Sequence, residues 1–162
     1  MKSLKTYMIL GAVFVSILGT IFHFVYDWTG NNTIISIFVP VNESIWEHTK
    51  LIFFPMLLYS IYLNKKITAK YPYINSAMIL GELSGVLSII VLYYTYSGII
   101  GYNIAFADIS IFYISVVIAF YIAYKTVNCC KAYTILWILQ ILIFLLYVIF
   151  TFNPPSIALF TQ

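Results

Sequence analysis

Five stretches of almost unbroken apolar sequence, at about residues 4–26, 45–63, 74–96, 103–124 and 132–152, dominate this chain. Each approaches the roughly 20 residues that an α-helix needs to cross the hydrocarbon of a bilayer. A backbone in hydrocarbon must satisfy its own polar groups, which a helix does and an open sheet does not. The expectation is therefore an all-α polytopic membrane protein, a bundle of about five transmembrane helices, with residues 1–162 forming a single transmembrane domain. The chain is 63% hydrophobic and only 8% charged, with a mean hydropathy of +1.00, against about 25% charged in an average soluble domain. Its net charge of +3 reflects a shortage of acids rather than a basic patch. That argues against a nucleic-acid partner and leaves the lipid bilayer as the first one.

The lysines give an orientation. Lys2 and Lys5 precede the first segment, Lys65, Lys66 and Lys70 separate the second and third, and Lys125 and Lys131 separate the fourth and fifth. The positive-inside rule makes that side cytoplasmic, so the N-terminus is expected inside, the C-terminus outside, and the protein in the plasma membrane. No small-residue cleavage site precedes the polar end of the first segment, which reads as a retained span. Cys129 and Cys130 are adjacent, a spacing at which a disulfide is strained, and fall on the reducing side. Between the first two spans lies a run from Ile34 to Val41 that is too short to cross, and it reads as a re-entrant or interfacial segment entered through a Gly-Asn turn.

Ionisable groups other than plain lysines gather at the opposite side. His23 and Asp27 lie one helical turn apart at the end of the first span, so the carboxylate can orient the imidazole. Glu43 and Glu47 are spaced to share one face at the start of the second, with Lys50 a turn further and Ser44 and His48 on the adjacent face. Asn42 or Ser44 is positioned to cap that helix, and Pro55 to kink it. Imidazole and carboxylate together suit zinc or another divalent metal ion, which makes His23, Asp27, Glu47 and His48 the candidate ligands. The bland alternative is a helix start decorated with caps and a Glu47–Lys50 pair, with Trp46 as an interface anchor.

Glu82 is the deepest acid, between Gly81 and Gly85 in the third segment. It reads as a proton-linked carboxyl or, alternatively, as a hydrogen bond across a helix seam, while the flanking glycines suit either an internal contact or a homo-oligomer. Asp108 heads a small-residue stripe through Ser115 and Ala119 and completes the set of candidate binding residues, and Gln140 reads as structural. No nucleotide-binding loop and no nucleophile elbow is present in the sequence.

The stretch PVNESIWEHTKLIFFP, with FHFVYDW upstream and FTFNPPSIALF near the end, resembles a family of small uncharacterised multi-pass bacterial membrane proteins. The resemblance implies that Asn42, Glu43, Ser44, Trp46, Glu47, His48 and Lys50 belong to one motif, without assigning a chemistry. The leading expectation is an outward-facing polar cavity that binds or transports a cation or small polar solute. A metal-dependent hydrolase or transferase acting on a lipid-like substrate is the alternative, and a non-catalytic subunit of a membrane partner the third.

Overall fold

The computed structural model describes residues 3–129 and 134–160, so Lys2, Cys130 and Lys131 lie outside the described residues. The described elements are all helical: α1 (Leu4–Trp28), a single 3-10 turn (Ile35–Ile37), α2 (Ile45–Ile67), α3 (Ile74–Ile100), α4 (Ala105–Thr126) and α5 (Thr134–Phe152). α1, α3, α4 and α5 are long and apolar enough to cross a membrane, compatible with a multi-pass membrane protein. α2 is also long enough, but it carries Glu47, Lys50, Lys65 and Lys66. It can carry them because it is the most enclosed helix, buried from Trp46 almost continuously to Met56.

Helices α1 to α4 close into a ring, each packed against the next and α4 returning to α1, while α5 lies outside the ring against α3. The ring encloses one core, with Val15, Ile52, Met56, Ala77, Met78, Ala119 and Ala123 essentially inaccessible. A second, aromatic core joins α2 to α5 through Trp46, Phe53, Phe54 and Tyr147. The outward faces are the opposite of a soluble surface: Ile9, Val13 and Ile17 on α1, Leu87 and Val91 on α3, Val117 on α4 and Ile138 and Leu142 on α5 are all exposed. So extensive an apolar surface needs a nonaqueous neighbour.

Two glycines set the spacing of the ring. A Cβ on Gly81 would fall on the Ala119 carbonyl oxygen, so the Gly81–Gly85 face of α3 is occupied by α4. A Cβ on Gly19 would lie 2.5 Å from the Leu51 carbonyl oxygen and 2.7 Å from the Phe112 ring. Leu51 is four residues before Pro55, which has no N–H to offer it. The missing helical bond leaves that oxygen facing the bare Gly19 backbone. Gly19→Val should therefore push α1 off α2 and lower stability by about 1–3 kcal/mol, read as a fall in the unfolding midpoint in detergent.

Candidate metal centre and adjoining cavity

The polar groups meet at the end of the bundle where α1 finishes and α2 begins. The connection turns through Gly30 and Asn31, both in the left-handed region (φ 65° and 60°), which those two residues tolerate best. Asn32 accepts from the Ile34 and Ile35 N–H groups, starting the 3-10 turn. Asn42 then accepts from the Ser44 N–H, and Ser44 caps α2 by accepting from the Glu47 N–H. Ser44, rather than Asn42, is thus the cap, and Glu43 stands just outside the helix.

That position decides the roles of the two glutamates. Because Glu43 precedes the cap, helical spacing does not hold it over Glu47. It turns instead toward the histidines, with Oε1 4.0 Å from His23 Nε2 and Oε2 3.4 Å from His48 Nε2. The two imidazole rings are 5.3 Å apart. His48 Nδ1 lies 2.9 Å from the Ser44 carbonyl oxygen, which can only accept, so the neutral ring carries its proton there and turns its Nε2 lone pair toward Glu43. His23 Nδ1 is buried without any partner. One donor atom from each of His23, Glu43 and His48 can be chosen so that all lie within 4.8 Å of one another. A tetrahedral zinc site with bonds of about 2.0–2.1 Å places its ligands about 3.3 Å apart, so the cluster needs a contraction of about 1.5 Å at most.

Glu47 is elsewhere. It is buried and receives Lys50 Nζ at 2.6 Å and the Val41 N–H at 3.0 Å on the same oxygen. Lys50, fully buried, also donates to the Ser36 carbonyl at 2.9 Å, the Val39 carbonyl at 3.4 Å and Thr151 Oγ1 at 2.7 Å. The pair is a brace that ties the connecting loop and α5 to α2. Glu47 and Lys50, expected among the binding residues and Glu47 among the metal ligands, thus form the ion pair of the alternative reading, and Glu47 is outside the His23–Glu43–His48 cluster. Asp27 is exposed and outside the His23 cluster, because the last turn of α1 carries it to the outer surface. Trp46 is no interface anchor: its ring packs on Tyr147, Phe150 and Phe160, and its backbone N–H donates to the Leu159 carbonyl. Residues 153–160 thus fold back over the start of α2.

A cavity of about 530 Å³ adjoins the cluster, with Glu43 and His48 on one side and Asn103 and Asp108 on the other. Asp108 accepts a hydrogen bond from the Tyr96 hydroxyl, which in turn accepts from the Ile104 N–H. Tyr93, Ser97 and Ala158 also line it, and none of them was marked by spacing in the sequence. Glu82 is fully buried away from this cavity, with the Gln140 side-chain N–H group 3.0 Å from each of its oxygens. It joins α3 to α5. Comparison with curated proteins and with solved structures finds no match. A family model does match, over residues 1–162: this chain belongs to a family of unknown function, DUF6512.

Proposed function

We propose that this protein is a membrane-embedded binding site for a divalent transition-metal ion of the zinc class, held by His23, Glu43 and His48 and opening to the cell exterior. The observation that carries the reading is the convergence of His23 from α1, Glu43 from the connecting loop and His48 from α2, each with a possible ligand atom within 4.8 Å of the others, beside a His23 Nδ1 that has no hydrogen-bond partner. Buried polar nitrogen is normally hydrogen-bonded, and a ligand carboxylate with two imidazoles is a recurrent zinc set. The outward orientation follows from Lys5, Lys65, Lys66, Lys70 and Lys125 at the other end of the bundle. Below the cavity Ile52, Met56, Val116 and Ala119 are packed without accessible surface, which favours binding over passage.

A second reading follows from the same geometry. Three protein ligands would leave a coordination position free, as in catalytic rather than structural zinc sites, and two of the three, Glu43 and His48, also line the cavity. A bound ion would supply an activated water for hydrolysis.

The test is zinc titration of metal-stripped, purified protein. A single zinc ion per chain is expected, with affinity reduced about 10–100-fold or more in His23→Ala and His48→Ala and unchanged in Asp27→Ala. Uptake that ignores His48→Ala, or no saturable uptake, would overturn the proposal.

A further inference from the structure

The cavity beside the metal cluster changes character with depth. Nearest the helix ends it is lined by Glu43, His48, Ser97, Asn103 and Asp108 together with Ile45 and Ala158; further along the helices its lining is Leu51, Ile89, Ile111 and Phe112. Ser97 and Ile89 both line it and are eight residues apart on α3, about 12 Å along the axis. On α2 the step from His48 to Leu51 and on α4 from Asp108 to Ile111 is shorter, three residues or about 4.5 Å. Leu51, Ile89 and Ile111 are nearly inaccessible. An apolar recess of this kind gives water few hydrogen bonds, and a volume of about 530 Å³ is that of a small-molecule pocket.

We infer that the cavity takes a small amphiphile, its anionic oxygen head on the bound metal ion and a single alkyl chain along the Leu51–Ile89–Ile111 floor. The head assignment rests on the metal reading above, whereas the chain assignment stands on the cavity alone. Without the ion, Glu43 and Asp108 would repel an anionic head, so the ion decides its binding.

The experiment uses the full chain in phosphatidylcholine nanodiscs, with empty nanodiscs subtracted. Ethyl, butyl and hexyl phosphate are titrated with and without zinc, heptanoate with zinc, and butanol and hexanol without it. With zinc, affinity for the alkyl phosphates should rise by up to about fourfold per methylene, and the rise should flatten in Ile111→Phe and Ile89→Phe, which fill the floor from different helices. Without zinc, alkyl phosphate binding should be lost while hexanol still binds more tightly than butanol. Heptanoate binding as tightly as hexyl phosphate would identify the head as carboxylate, and weaker binding would identify it as phosphate; both support an anionic oxygen head. Chain-length-independent binding in every arm overturns the amphiphile and leaves zinc binding standing. Zinc uptake with phosphate binding that ignores zinc overturns the head assignment. Absence of zinc uptake overturns the metal reading, and the hexanol-to-butanol ratio alone then decides the floor.

Discussion

Lys50→Met should destabilise the protein by about 3–5 kcal/mol, the cost of breaking a buried ion pair from one side. Lys50 is fully buried and holds four oxygens from the connecting loop, α2 and α5. Its removal leaves the Glu47 carboxylate with the Val41 N–H alone. The paired change Glu47→Leu with Lys50→Met should recover part of the loss, because no charge is then stranded. Recovery should be incomplete, since the Ser36 and Val39 carbonyls and the Val41 N–H still lose partners. Unfolding midpoints in one detergent should rank wild type, double variant, single variant. A single variant that unfolds with wild type would show that the brace does not hold this end of the bundle.

The second large effect concerns Glu82. Gln140→Leu strands a fully buried carboxyl, and Glu82→Leu strands a buried amide; each should cost about 1–3 kcal/mol or more. Replacing both with Leu should return stability close to wild type, since neither polar group is then left without a partner. Zinc uptake should survive in that double variant, because Glu82 is outside the His23–Glu43–His48 cluster. A stable double variant that no longer takes up zinc would instead make Glu82 part of the site, as a proton-linked carboxyl beneath it would be.

The architecture was legible because its cause is local. A run of apolar residues long enough to cross a bilayer has few alternatives to a helix, so the expected segment at 4–26 is α1 at Leu4–Trp28, and 74–96 is α3 at Ile74–Ile100. The end of the bundle holding the polar groups was equally readable, since charge is expensive elsewhere. Individual partnerships were not. Glu43 and Glu47 looked equivalent under helical spacing, and only the cap at Ser44 separates them. His23 and Asp27 are one turn apart, yet His23 faces α2 while Asp27 is exposed. Lys50 with Thr151 and Glu82 with Gln140 join residues 101 and 58 positions apart, and no local pattern encodes such distances. Tyr96 meets Asp108 across the α3–α4 turn, a pairing between two helices that a polar stripe on either one alone does not encode.

The brace at Lys50 also imposes a timetable on biosynthesis. Its partners in the connecting loop precede it in the chain, but Thr151 emerges 101 residues later, and the Leu159 carbonyl that receives the Trp46 backbone N–H later still. At about 5–20 residues per second, α2 waits on the order of 5–20 s with its most buried cation incompletely satisfied. Nascent chains halted before α5 should therefore be the species that quality-control proteases and insertion chaperones recognise, and release of the full-length chain should end that vulnerability.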